Sequence, residues 1–196
     1  MTGDLQRAKR PVSALLAGPY GHPLHPILVT VPIGAWVASL LFDLASHLVE
    51  DPGFLARGSL WLIGLGVVGA LAAALIGMLD LLVIPTGTPV FRTALVHMGL
   101  NLAVTAAYLA GFLWRRSSGD IGSAVAWAPL ALSVICLIGL AVSGFLGGKL
   151  AFRYGVRVAD EVTQASGYRR NLMAGQDGAS SGHHPEPHPS PHMERS

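Results

Sequence analysis

Four long apolar stretches constrain this chain more than any other feature of its sequence. They cover residues 27–49, 60–84, 91–114 and 126–148. About 20 apolar residues in a helix cross the hydrocarbon core of a bilayer, and each stretch reaches that length. No stretch alternates as an outer-membrane strand does, and only 12% of the residues are charged, about half the usual share of a soluble domain. We therefore expect an all-α integral membrane protein that contacts the lipid bilayer.

The connections between the stretches are short and rich in proline, glycine and serine. Such connections place successive helices antiparallel, which predicts a four-helix up-down-up-down bundle. After about residue 171 the composition turns to glycine, serine, proline and histidine, which favours a disordered tail. The predicted organisation is an N-terminal cytoplasmic segment over 1–26, a transmembrane domain over 27–150, a basic juxtamembrane segment over 151–170 and a disordered tail over 171–196.

Basic residues near the helix ends predict the orientation of the bundle. The face that carries both termini has Arg7, Lys9, Arg10, Arg92, Lys149, Arg153 and Arg157, and the opposite face has Arg57, Arg115 and Arg116. Because cytoplasmic loops collect lysine and arginine, we expect a multi-pass protein of the inner, cytoplasmic membrane with both termini in the cytoplasm. The net charge of +2 and the lack of a contiguous basic stripe argue against a nucleic-acid partner.

Ionisable residues inside an apolar stretch are costly, so each calls for a partner or a role. His97 and Asn101 lie one helical turn apart in the third stretch and therefore share a face. Asp80 near the end of the second stretch and Lys149 at the end of the fourth approach the same side of the membrane. We expect Asp80 to pair with Lys149 or with His97, in a network that fixes helix register or forms part of a functional site.

The first stretch has a polar row of its own near the opposite face. Ser39, Asp43 and His47 follow one another at four-residue spacing and lie on one side of the helix. Asp43 then accepts hydrogen bonds either from His47 or from a polar group of a neighbouring helix. We favour a structural role for this row.

Small residues recur every four positions in two of the stretches. The rows are Gly69, Ala73 and Gly77 in the second stretch and Gly139, Ser143 and Gly147 in the fourth. Such rows let helix backbones approach closely, so we expect tight helix packing. A homo-oligomer that pairs through these glycine-rich faces is the alternative use of the same pattern.

The most specific local pattern precedes the first stretch and reads Gly21-His22-Pro23-Leu24-His25-Pro26. A residue before proline is disfavoured in the helical region, so His22 and His25 are predicted on a stiff, extended segment. Two imidazoles presented rigidly at the membrane surface suit ligand binding or proton transfer. The alternative is a simple helix-initiation turn, for which Pro26 is well suited.

Several pieces of this chain together resemble a known family. The His22-Pro23-Leu24-His25-Pro26 opening is followed by Leu41-Phe42-Asp43-Leu44, then by His97 to Asn101, and the chain closes with Gly144 to Leu150 and Tyr154 to Val158. Over residues 20–160 this arrangement resembles the bacterial and archaeal membrane proteins called domain of unknown function 2231. The resemblance implies four membrane helices and an unassigned activity, and it supplies no catalytic residues.

Three functional hypotheses follow, and the leading one is a compact structural or interaction bundle with an unidentified protein partner. No G-x-S-x-G, P-loop, H-E-x-x-H or dinucleotide motif supports an enzyme, so no residue is assigned a catalytic role. Transport by a single copy is disfavoured because four helices enclose little volume and no internal repeat is evident in the sequence.

The other two hypotheses use the histidines as ligands. In the first, a b-type haem or redox module holds its cofactor between His97 and either His25 or His22. His97 lies about 9 Å into its stretch, deeper than His25, which argues against the pairing unless the helices are staggered. In the second, His22, His25, Asp80 and His97 form a divalent-metal or proton-handling site.

Overall fold

The computed structural model describes residues 24–119, 122–158 and 160–162, and every regular element in these residues is helical. The predicted all-α class is therefore confirmed. The helices are α1 (Leu24–Leu28), α2 (Thr30–Ala45), α3 (Gly53–Leu82), α4 (Pro89–Ser117) and α5 (Trp127–Gly148), and α5 continues into a π-helical turn (Lys149–Arg153). The His/Pro-rich tail and His22 lie outside the described residues.

Within the described residues, four continuous helical segments are long and apolar enough to cross a membrane. They are Leu24–Ala45, Gly53–Leu82, Pro89–Ser117 and Trp127–Arg153. Large apolar side chains on their outer surfaces are exposed, among them Trp61 at 79%, Leu75 at 71% and Phe145 at 75%. A helix that is apolar on its outer face as well as its inner face is suited to lipid. The chain is therefore a multi-pass membrane protein.

The first segment begins earlier than its apolar stretch, and the prediction of an extended backbone at His25 is wrong. His25 lies inside α1, and its carbonyl accepts a hydrogen bond from the Val29 amide at 3.1 Å. Pro26 falls in the first helical turn, where its missing N–H costs no hydrogen bond. The helical preference of this turn outweighs the bias that Pro26 imposes on the preceding residue.

The start of α4 is fixed by local chemistry. Thr88 has an extended backbone, and its hydroxyl accepts a hydrogen bond from the Phe91 amide at 3.1 Å. Pro89 occupies the first helical turn, as it commonly does at helix starts. This start sets the register of α4 and with it the position of His97.

Contacts between helices pair the beginning of each segment with the end of the next. α2 packs on α3, α3 on α4, α4 on α5, and α5 returns to α2. His25 at the start of the first segment contacts Gly77 near the end of α3, and His97 near the start of α4 contacts Gly147 near the end of α5. Sequential helices therefore run antiparallel, and the first segment lies diagonally across the bundle from α4.

The small-residue rows bring helices together within the chain. A Cβ atom on Gly69 would lie 2.7 Å from Val31 Cγ1, and one on Gly139 would lie 3.0 Å from Val104 Cγ2. Residue 69 therefore faces the first segment, and residue 139 faces α4. The rows serve the intramolecular packing that the sequence predicts. The homo-oligomer alternative stays a prediction.

Large side chains fill the diagonal between the first segment and α4. Trp36 stacks on Tyr108 with ring centroids 4.2 Å apart and an interplanar angle of 13°. Both rings are almost completely buried. Each polar atom is satisfied by a backbone carbonyl, because Trp36 Nε1 donates to Ile63 and the Tyr108 hydroxyl donates to Ser133, both at 3.3 Å. This stack forms the centre of the core.

Candidate bis-histidine site

His25 and His97 meet on the diagonal of the bundle, at the end that holds the start of α1. Their ring centroids are 6.4 Å apart and the rings are inclined at 76°. Both side chains are partly buried. The difference in depth expected from the sequence is absent because α1 already carries His25 alongside the other helices. The two imidazoles therefore lie at one level.

A backbone carbonyl of α3 orients the ring of His25. Its Nδ1 lies 2.9 Å from the carbonyl oxygen of Ala73. A carbonyl can only accept, so the neutral ring carries its proton on Nδ1 and leaves the lone pair of Nε2 free to bind. Among the described residues, Nε2 has no hydrogen-bond partner. A Cβ atom on Gly77 would lie 3.0 Å from Cε1, so glycine lets the ring rest against the α3 backbone.

His97 has the same arrangement on α5. Its Nδ1 lies 2.9 Å from the carbonyl oxygen of Ser143, which again places the proton on Nδ1 of the neutral ring, and the Ser143 hydroxyl lies 3.0 Å from the same nitrogen. A Cβ atom on Gly147 would lie 3.1 Å from Cε1 of His97. Here Nε2 accepts a hydrogen bond from the Asn101 side-chain amide at 3.1 Å, and the same amide donates to the His97 carbonyl at 2.9 Å.

The sequence predicts that Asp80 pairs with Lys149 or with His97, but in the structure its partner is Arg157. Its carboxylate lies 3.1 Å from Nε of Arg157, and the ammonium group of Lys149 instead lies 5.7 Å from the centroid of the Tyr154 ring. Arg157 reaches Asp80 because the chain turns back after the π-helical turn, with left-handed backbone at Gly155 (φ 67°) and Arg157 (φ 59°). A left-handed arginine is uncommon and marks a backbone held by its surroundings.

The predicted four-residue metal site stays a prediction, because His22 lies outside the described residues. No three histidine, cysteine, aspartate or glutamate side chains within the part of the chain that the structure describes are grouped closely enough to hold an ion. His25 and His97 are brought together, and Asp80 is engaged by Arg157. The described donor set is therefore a pair of imidazoles.

The opposite end of the bundle is held by a buried ion pair. The Arg115 guanidinium donates to both carboxylate oxygens of Asp43, at 2.8 and 2.7 Å. Asp43 is completely buried and the Arg115 side chain is 10% exposed. Of the two alternatives for Asp43, a partner on a neighbouring helix is therefore the one adopted.

Hydrogen bonds extend this pair to all four spanning segments. Ser59 of α3 donates to Asp43, and Arg115 of α4 also bonds Ser59 and the Ser133 hydroxyl of α5, each at 3.1 Å. The remaining acceptor is the Pro129 carbonyl at 3.2 Å. We call Asp43, Ser59, Arg115 and Ser133 the polar clamp. His47 lies outside it, since its ring stacks on Trp127 with centroids 4.5 Å apart.

The polar clamp fixes the relative height of the two histidines. Asp43 follows His25 at the same separation in the sequence at which Arg115 follows His97. In a helix this separation amounts to about five turns, or roughly 27 Å, which is close to the thickness of the hydrocarbon core. The ion pair between Asp43 and Arg115 therefore also places His25 and His97 at the same depth in the bundle. Sequence reasoning counted Arg115 only as a surface charge, although its equal spacing from a histidine was a usable signal.

Comparison with known proteins gives one match. A family model described as "Predicted membrane protein (DUF2231)" matches residues 21–160, which is most of the chain. No curated protein and no solved structure matches at a significant level. The matched range contains His25, His97 and the polar clamp.

Proposed function

Since the chain belongs to the domain of unknown function 2231 family of predicted membrane proteins, we propose that it is a membrane redox module that binds one b-type haem between His25 and His97. The paired histidines carry this proposal. Both project from membrane-spanning segments, face each other across the bundle and stand 6.4 Å apart between ring centroids. Cofactor sites of helical bundles are commonly built this way, from side chains on facing helices.

The distance suits a metal bound to both rings. A metal held by two Nε2 atoms at about 2.0–2.1 Å would place the ring centroids roughly 6 Å apart. The anchored Nδ1 atoms add support, because metal-bound histidines usually donate their other N–H to a carbonyl or carboxylate. In this chain Ala73 and Ser143 provide those carbonyls. Binding at His97 would replace the hydrogen bond from Asn101, whose amide keeps its bond to the His97 carbonyl.

Two imidazoles favour haem over a bare ion. A bare divalent ion takes four or more ligands, whereas haem iron brings four ring nitrogens and needs only axial ligands from the protein. The described residues offer two such ligands and no cluster of three. When bound, a haem would supply one-electron transfer, and the chain's own backbone carbonyls orient the two imidazoles. The divalent-metal alternative depends on His22 as a further ligand.

The sequence alone favoured a structural or interaction bundle. We prefer the redox module because both rings are anchored through Nδ1 to a backbone carbonyl and their centroids stand 6.4 Å apart. The structural hypothesis assigns the packing role to the polar clamp and the Trp36–Tyr108 stack, which suffice to hold the helices. A protein that binds neither haem nor metal would favour this structural hypothesis.

The proposal is tested by the cofactor content of the full-length protein, purified in mild detergent from cells supplied with haem precursor and iron. We expect one haem b per chain and a reduced-minus-oxidised spectrum with sharp α and β bands. His47→Leu is the matched control, since it removes an exposed histidine at the other end of the bundle and should keep the haem. Bound zinc or copper without haem would favour the divalent-metal site, and a metal-free, colourless protein would favour the structural bundle.

We also propose the orientation that the charges predict, with both ends of the bundle domain in the cytoplasm of a cell whose inner membrane holds the protein. Arg92, Lys149 and Arg153 lie at the His25 end, and cytoplasmic ends collect such residues. A phosphatase fused after residue 162 should be inactive, and a fluorescent protein at the same place should fluoresce. Phosphatase fused between residues 119 and 122 should be active. Reversed activities would contradict the orientation.

A further inference from the structure

We propose that the histidine site is built from two equivalent half-sites, each contributed by one half of an internal repeat, and that Gly77 and Gly147 are its positioning residues. The proposal rests on the redox module proposed above and says how its two ligands are held. One half-site is His25 with the Ala73 carbonyl and Gly77. The other is His97 with the Ser143 carbonyl and Gly147.

The first segment and α4 correspond at a constant offset, which is the sequence separation of 72 between Asp43 and Arg115. Three pairs of residues at this offset meet directly across the bundle. They are His25 with His97, Trp36 with Tyr108, and Asp43 with Arg115. Equivalent residues of two repeats meet each other only at the axis that relates the repeats. The three contacts between the first segment and α4 therefore mark a pseudo-two-fold axis. The axis passes along the bundle and through the histidine pair.

The partner helices α3 and α5 also correspond at a constant sequence offset, which is the separation between Gly69 and Gly139. This offset is slightly shorter than the one that relates the first segment to α4. The small-residue rows match at this offset, since Gly69, Ala73 and Gly77 become Gly139, Ser143 and Gly147. The contacts match as well. Trp36 donates to the carbonyl of Ile63, and Tyr108 donates to the carbonyl of Ser133, which is the counterpart of Ile63 at the same offset.

Where the halves differ in sequence, side-chain volumes compensate. Gly66 packs under Trp36, and a Cβ atom there would lie 2.2 Å from the indole nitrogen. Its counterpart is Cys136, which lies in the same core cluster as the smaller Tyr108. The larger ring thus faces the smaller residue, which preserves the packing of both halves.

The glycines set the place of each ring. An alanine at 77 or 147 would put its Cβ 3.0 or 3.1 Å from the imidazole Cε1, so the ring must shift by a few tenths of an ångström. Gly144 offers a matched control, because a Cβ atom there meets nothing within 4 Å among the described residues.

The test compares Gly77→Ala, Gly147→Ala and Gly144→Ala in the full chain. In haem-free protein labelled with ¹⁵N-histidine, we expect Gly77→Ala to shift the His25 resonances and Gly147→Ala to shift those of His97, with both rings protonated on Nδ1 in the wild type. In haem-loaded protein both variants should weaken haem retention by a similar factor, about tenfold. Gly144→Ala should change retention less than about threefold.

The two arms separate this proposal from the proposed function. A wild type that binds no haem would contradict the redox module, while the nitrogen spectra would still decide whether the rings are held equivalently. If one glycine variant left its histidine unshifted, or if the two factors differed more than about tenfold, the half-sites would not be equivalent. A loss in Gly144→Ala as large as in Gly147→Ala would overturn the role of the positioning glycines.

Discussion

Arg115→Leu is expected to lower the free energy of unfolding by about 3–5 kcal/mol, because it leaves the Asp43 carboxylate buried without its counter-charge. Asp43 is completely buried and receives both terminal nitrogens of Arg115. The loss should appear as a lower midpoint of thermal unfolding in detergent. Asp43→Asn should have an effect of similar size, since it leaves the guanidinium unpaired.

Two further variants isolate the ion pair. Arg116→Leu removes the neighbouring arginine, which is exposed, and should change the unfolding free energy by less than about 1 kcal/mol. Asp43→Leu combined with Arg115→Leu should recover part of the loss, because an apolar pair carries no unpaired buried charge. Equal effects of Arg115→Leu and Arg116→Leu would show that the polar clamp does not stabilise the bundle.

The second large effect is expected at the histidines. His25→Gly and His97→Gly should each greatly weaken haem binding, because each removes one of the two imidazoles proposed to hold the iron. Neither ring is fully buried, so the apoprotein should remain folded. Free imidazole should restore a low-spin spectrum in both variants, since it refills the space of the missing ring.

The neighbouring Asn101 provides the comparison. Asn101→Leu removes the amide that bonds to Nε2 of His97 in the haem-free state, and this variant should keep its haem. Haem retained in both histidine variants would contradict its placement between His25 and His97. An equal loss in Asn101→Leu would show that the loss is not specific to the two histidines. Thermal unfolding of each apoprotein distinguishes loss of the cofactor from loss of the fold.

Much of the fold could be predicted from the sequence because lipid imposes simple rules. Backbone groups must be satisfied within each span, so a long apolar stretch becomes a helix. Residues 60–84, for example, fall almost entirely within α3. The face that carries His97 and Asn101 also followed from helical spacing, and both side chains indeed bond within the bundle.

The ion-pair partner of a partly buried side chain could not be predicted where the backbone departs from a regular helix. Asp80 pairs with Arg157 because a π-helical turn and two left-handed residues bring the chain back. Nothing in the apolar pattern encodes that return. The position of His25 is also not predictable from its neighbour Pro26 alone, because the helical turn Leu24–Leu28 outweighs the local bias against helix before proline.

The proposed repeat is not evident in the sequence because residues that meet at its axis differ in type. Residues that meet their counterparts cannot both be aspartate in a buried site, so one position became Asp43 and the other Arg115. Two tryptophans in place of Trp36 and Tyr108 would add volume that the core does not hold. The sequence signal thus survives in the spacing of residues, whereas their identities diverged.

The most direct test of the central claim counts the histidine nitrogens bound to the metal. Wild-type protein is grown with ¹⁵N-histidine, oxidised, and examined by pulsed electron paramagnetic resonance at the iron. We predict two histidine nitrogens with nearly equal couplings, and a single ¹⁵N coupling in His25→Gly or His97→Gly protein whose haem is held with the help of added unlabelled imidazole. A loaded centre with a single histidine nitrogen, or with none, would contradict a haem held between His25 and His97.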